Sequence, residues 1–300
     1  MSKHKTIRRY TLIIEKIKQS NHPSFEDIKN HLYNHGFDIG DRTIQRDFNQ
    51  IRYEFGIEIT YNKNQNGYYI DFENSVNSDS FFRFLEIVNT STLLAESIND
   101  GKNALNYISF DSNAKFKGLH NLKELLFAAK NHRKITFNHF SFYHNKIRKY
   151  SIKPYLLKEY ENRWYVVGLI GNTDHLRTFG IDRIENLEIK TETFTPKTHI
   201  NPQELFAQTI GLVYSENTLQ EIILSFTPLQ GKYIQSLPIH TSQRVIIDDE
   251  NEYRISITVI PNYELNQLIL KHGNTVKVIK PSWLANEIKE NLHQSLEKYL

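Results

Sequence analysis

A chain of 300 residues with a formal net charge of +3 is too long for one ordinary core and divides into two or three domains. Hydrophobic residues at 39% and aromatics at 12% exclude a disordered chain, and no apolar run approaches the ~18 residues of a membrane helix, which excludes a membrane role. The absence of cysteine excludes disulfides, zinc–cysteine sites and thiol nucleophiles and suits a reducing cytoplasm, where the protein is expected.

Residues 1–72 form the first expected unit. MSKHKTIRRY leads into the amphipathic TLIIEKIKQS, which reads against a signal peptide. Ile7, Tyr10, Ile14 and Ile17 recur at helical spacing until Asn21-His22-Pro23-Ser24, where Ser24 is a candidate cap. Phe25, Ile28 and Leu32 mark a second helix that ends near Gly36. A third, over Asp41 to Phe55, places Ile44, Phe48, Ile51 and Phe55 on one face and Arg42, Gln45, Arg46 and Asn49 on the other. Two β-like runs, Ile57 to Tyr61 and Tyr68 to Asp71, flank the NKNQNG turn, and three helices followed by a hairpin is the layout of a winged helix-turn-helix.

Residues 73–117 read as a helical linker, with FFRFLEIVNTSTLLAES as one helix and Tyr107 to Phe110 as a short strand. Residues 118–197 form the next domain. Leu119, Leu122, Leu126 and Ala129 mark its entering helix, and from Ile135 the pattern alternates, with Ile135, Phe137 and His139 on one strand face and Thr136, Asn138 and Phe140 on the other. The stretch RWYVVGLIGNTDHLRTFGIDRI (163–184) sets Arg163, Arg177 and Arg183 among Trp164, Tyr165 and Phe179, a combination suited to planar, anionic ligands. In residues 198–300 the order strand, helix, strand, strand, helix, strand, helix predicts an α/β sandwich, with Asn262 capping one helix and Leu284, Ile288, Leu292 and Leu296 lining the last. The expected class is multidomain α+β.

The 163–184 stretch resembles the signature of the WYL domain, a ligand-sensing module of bacterial transcription regulators. Val166 stands in the third place of the Trp-Tyr-Leu tripeptide, while Arg177-Thr178-Phe179 and Asp182-Arg183-Ile184 match the later elements. DRTIQRDFNQIRYEFGIEITY resembles the DNA-binding domain joined to WYL domains. Leu237-Pro238-Ile239-His240 and Asn262-Tyr263-Glu264-Leu265 are similar to their C-terminal extension. The resemblance implies a small SH3- or Sm-like barrel for 118–197, control linked to DNA damage or phage defence, and single-stranded nucleic acid or nucleotide-like effectors.

For DNA, the third helix offers Arg42, Gln45, Arg46 and Asn49 to base edges or phosphates and Thr43 to the backbone; Asp47 is expected to pair with an arginine instead. One such domain makes few contacts, so a double-stranded operator bound with useful specificity calls for a homodimer. For the effector, the run from Leu125 to Lys158 holds eight lysines and arginines and no acid, interleaved with aromatics. The candidate ligand residues are His139, Tyr150, Lys153, Tyr165, His175, Arg177, Phe179 and Arg183. No GxxxxGKS loop or HExxH element is present, and His132, His139 and His144 are irregularly spaced for a metal. A non-enzyme without cofactor is expected. The competing reading is a non-regulatory accessory that grips single strands directly; a regulator of small-metabolite type is a further one.

Overall fold

The computed structural model describes residues 3–76, 78–99, 118–171, 173, 175–213 and 217–300, and the chain divides into two compact units, Met1–Ser112 and Asn113–Leu300. No described helix is long and apolar enough to cross a membrane.

In the first unit α1 (Lys3–Gln19), α2 (Phe25–Asn34) and α3 (Asp41–Phe55) precede an antiparallel hairpin of β1 (Glu58–Asn62) and β2 (Gly67–Asp71). The apolar spacing of each helix decides which face is buried: Ile14 and Ile17, Ile28 and Leu32, and Ile44, Phe48 and Ile51 share one core. Ser24 starts α2 with a capping box, its Oγ accepting from the Asp27 N–H at 3.1 Å while the Asp27 carboxylate accepts from the Ser24 N–H at 2.9 Å. Gly36 leaves the helix at φ 83°. Asp47 is fully buried on α3, and Arg9 of α1 donates to both its oxygens, at 2.7 and 2.9 Å, as the arginine partner expected of it. Helix α4 (Ser78–Asn99) does more than connect, because Phe81 and Leu85 complete the same core. The strand expected at Tyr107 to Phe110 lies outside the described residues.

The second unit begins with α5 (Leu122–Lys130), whose buried face is Leu125 and Ala128 rather than the expected Leu126 and Ala129; Leu126 is half exposed. A 3-10 turn at Leu119–Asn121 precedes α5. Strands β3 (Arg133–Ser141), β4 (Lys146–Tyr160), β5 (Arg163–Ile170), β6 (Leu176–Gly180) and β7 (Ile184–Thr193) pair antiparallel in the order β6-β5-β4-β3-β7. Register shifts at Pro154/Leu156 and twice along β3–β7 bend the sheet. No ladder joins β6 to β7 among the described residues, so the expected barrel is an open, bent sheet. The five-residue β6 ends in the turn Ile181–Arg183, which carries the chain to β7 at the opposite edge.

After α6 (Pro202–Ala207), the chain runs β8 (Gln220–Phe226), α7 (Pro228–Ser236), β9 (Arg244–Asp248), β10 (Tyr253–Val259), α8 (Tyr263–Lys271), β11 (Val276–Lys280) and α9 (Ser282–Glu297). The sheet order β11-β8-β10-β9, antiparallel throughout, is an interleaved pair of βαβ units. Ile222, Leu224, Ile255 and Ile257 bury one sheet face beneath Ile234 of α7, Leu265 and Ile269 of α8, and Leu284 and Ile288 of α9. Asn262 caps α8, accepting from the Leu265 N–H at 2.9 Å. Leu292 and Leu296, expected on the buried face of α9, are 47% and 55% exposed because the helix runs past the sheet.

Candidate nucleic-acid interface

The N-terminal candidates sit on α3. Ile44, Phe48 and Ile51 turn one face inward, which leaves Arg42, Gln45, Arg46 and Asn49 exposed and Thr43 half-buried at the margin. With Asp47 held inside by Arg9, the outer face carries two arginines and two amides without that carboxylate. Such a face can meet phosphates through guanidinium groups and base edges through amides.

The second site follows from strand register. Directly paired residues share a sheet face, so Phe137↔Tyr150, His139↔Arg148, Val166↔Phe179 and Gly168↔Arg177 can be followed across the ladders. Ring contacts confirm one face: Tyr150 to Phe179 at 4.8 Å, His139 to Phe179 at 5.3 Å and Phe137 to Phe179 at 5.2 Å between centroids. Arg177 stands over the Tyr150 ring at 5.9 Å. Arg183, on the turn after β6, stacks on Phe142 at 4.5 Å, donates to the Phe140 carbonyl at 3.5 Å and lies 3.7 Å from the Asp182 carboxylate.

Two guanidinium groups supported by rings thus flank a buried imidazole. His139 is 6% exposed, and its Nε2 has no hydrogen-bond partner among the described residues. Burial, then the Arg183 charge, push its pKa down to about 4 against the opposing Asp182 charge and a hydrogen bond to the Gly180 backbone. His139 is neutral at pH 7. Gly180 has a steric role here: a Cβ on it would lie 2.6 Å from Asp182 Oδ1 and 2.9 Å from Arg183 Nη2. Only a residue without a side chain lets that guanidinium lie across the backbone.

The structure brings His139, Tyr150, Arg177, Phe179 and Arg183 together, with Phe179 3% exposed and serving as the floor. His175 is exposed just before β6. Lys153 and Tyr165 are not on this face. Lys153 pairs with Leu169, and Tyr165 with Lys158 and Gly180, each one step out of phase with the Val166↔Phe179 pair. Burial first raises the Tyr165 pKa and lowers that of Lys158 on that reverse face. Phe142 and Gly180 are the residues that sequence reading did not single out. Phe142 was visible in the aromatic interleaving before β4, whereas nothing in one sequence marks Gly180 as the seat of a guanidinium.

Comparison with known proteins then places these sheets. The model of the WYL domain matches residues 120–189, which contain α5, β3 to β6 and the first part of β7, with the whole basic-aromatic face. Residues 120–189 of this chain are a WYL domain. The model of the WCX domain matches residues 218–296, the sheet of β8 to β11 with α7, α8 and α9, so the WYL and WCX domains follow one another in the second unit. Among solved structures, proteasome accessory factor B/C (PafBC) of Arthrobacter aurescens is similar at 17% identity and TM-score 0.31, over 96% of this chain and 46% of that one. The WYL-domain chain thus spans less than half the length of that relative. A CRISPR Cas-related protein is similar at 12% identity and TM-score 0.39, over 99% and 85% of the two chains. No curated protein matches.

Proposed function

We propose that this WYL-domain protein is a transcription regulator whose N-terminal unit, a winged helix-turn-helix, binds double-stranded operator DNA as a homodimer. Its WYL domain takes an anionic, nucleic-acid-like ligand that changes operator affinity. It performs no catalysis. The observation that supports the ligand reading best is the pair of ring-backed guanidinium groups, Arg177 over Tyr150 and Arg183 over Phe142, whose charges both act on His139. A guanidinium already stacked loses little freedom on meeting a phosphate, and the exposed Phe142 and Tyr143 offer ring faces to bases. The α3 face supports the operator reading through Arg42, Gln45, Arg46 and Asn49. A ligand can change operator affinity only by the difference in its affinity for the two states of the protein.

The test is fluorescence anisotropy with a labelled single-stranded oligonucleotide. Arg177→Ala with Arg183→Ala is expected to weaken binding at least tenfold, with a shallower salt dependence. Unchanged affinity would remove the ligand site from this face. If Arg42→Ala with Arg46→Ala left duplex binding intact, the accessory-protein reading would replace the regulator.

A further inference from the structure

The basic-aromatic face of the WYL domain contains a hydrogen-bond acceptor that no described residue meets. It is Nε2 of His139, a side chain more than nine-tenths buried. The hydrogen bond from this ring to the Gly180 backbone therefore uses Nδ1, and because that bond favours the protonated ring, Nδ1–H donates to the Gly180 carbonyl. Nε2 is left with its lone pair. The surroundings are cationic: Arg148 is the direct partner of His139 across the β3–β4 ladder and shares its sheet face, and the charges of Arg183 and Arg177 act on the ring against that of Asp182. Arg183 and His139 also meet at one residue, since a Cβ on Gly180 would be 2.9 Å from Arg183 Nη2 while the imidazole holds the Gly180 carbonyl. An anion site and an acceptor thus adjoin.

That pairing calls for a ligand with a donor beside its negative charge. A phosphodiester has no donor, and neither does deoxyribose within a strand, while the amino and imino groups of bases stand on edges turned away from the sugar–phosphate chain. Ribose differs. Its 2′-hydroxyl lies on the carbon next to the one that bears the 3′-phosphate, and it is the group by which a protein tells RNA from DNA at a given site. We propose that the WYL domain takes single-stranded RNA in preference to single-stranded DNA, with a phosphate on Arg183 and the adjoining 2′-hydroxyl donating to His139 Nε2. The hydroxyl reaches Nε2 through a side-chain adjustment at Arg183, because that nitrogen is closed to solvent in the free chain. A deoxy strand is disfavoured because it leaves the acceptor buried and unmet. This choice of sugar rests on the anionic-ligand reading of the same face.

Fluorescence anisotropy of the full chain with labelled oligocytidylate in ribo, deoxy and 2′-fluoro forms tests this, the base being the same in all three. The 2′-fluoro form keeps the ribose pucker and removes the donor. The ribo form is expected to bind at least about fivefold tighter than either of the others. His139→Phe removes the acceptor and keeps a ring, so it is expected to erase that preference while affinity for the deoxy form stays within about twofold of the wild type. Equal affinity for the ribo and deoxy forms, equal affinity for the ribo and 2′-fluoro forms, or a preference undiminished in His139→Phe would each overturn the proposal, as when a buried water already meets Nε2. Should His139→Phe fail to fold, the 2′-fluoro comparison on the wild type decides alone. Binding of none of the three would remove the ligand face itself, whereas equal binding of the ribo and deoxy forms removes only its choice of sugar.

Discussion

Gly180 and His139 govern how the basic face of the WYL domain is set. Arg183 lies where a Gly180 side chain would be, so Gly180→Ala is expected to displace the guanidinium and weaken oligonucleotide binding about tenfold while the fold persists. Anisotropy paired with a melting curve separates the two effects. His139 makes stability depend on pH. Its folded pKa, about 4, lies below the ordinary 6.5, so between those values the unfolded chain holds more protons. The contribution is complete above pH 6.5 and is lost as pH falls toward 4, by at most about 3 kcal/mol. Melting temperatures measured from pH 7.5 to 4.5 are expected to fall more steeply for the wild type than for His139→Gln. Arg177 and Arg183 were legible in the sequence as cations beside aromatics. Lys153 and Tyr165 lie on the other face of the sheet, and the face a strand residue takes depends on register across three strands and on the bulge near Pro154, neither of which is local.

Among the elements, the helices of the first unit were the most legible, since a period of 3.6 over ten or more residues leaves little choice of buried face. The third helix was read over Asp41 to Phe55, as it stands. Ser24→Ala removes one half of the capping box and is expected to cost about 1 kcal/mol in chemical unfolding. Asp47→Ala removes the buried carboxylate that Arg9 meets through two hydrogen bonds, at about 3–5 kcal/mol. Because the same pair fixes α3 against α1, milder loss in Asp47→Asn should still lower duplex affinity; Arg42→Ala with Arg46→Ala should lower it without moving the unfolding midpoint. Long-range contacts explain what stayed illegible. The role of α4 depends on Phe81 and Leu85 meeting a core made by earlier helices, and the exposure of Leu292 and Leu296 depends on where a sheet ends. Likewise α5 kept its identity but not its buried face, since leucines and alanines at 122, 125, 126, 128 and 129 leave more than one apolar face and the packing of the sheet selects Leu125 and Ala128.

At the scale of the molecule, an N-terminal unit with an arginine-bearing helix is joined to a second unit that holds the WYL and WCX domains. The proposed regulator requires free energy to pass from the basic-aromatic face to the α3 face, and linkage makes that coupling reciprocal. Duplex DNA selected by the protein from a random pool supplies an operator. Affinity for that duplex is then measured with and without a single-stranded oligonucleotide, for the wild type and for Arg177→Ala with Arg183→Ala. The expected result is a change of at least fivefold in the wild type and none in the double variant, both proteins binding the duplex equally when the oligonucleotide is absent. An oligonucleotide effect of the same size in both proteins, or none in either, would contradict ligand-controlled DNA binding through the WYL domain.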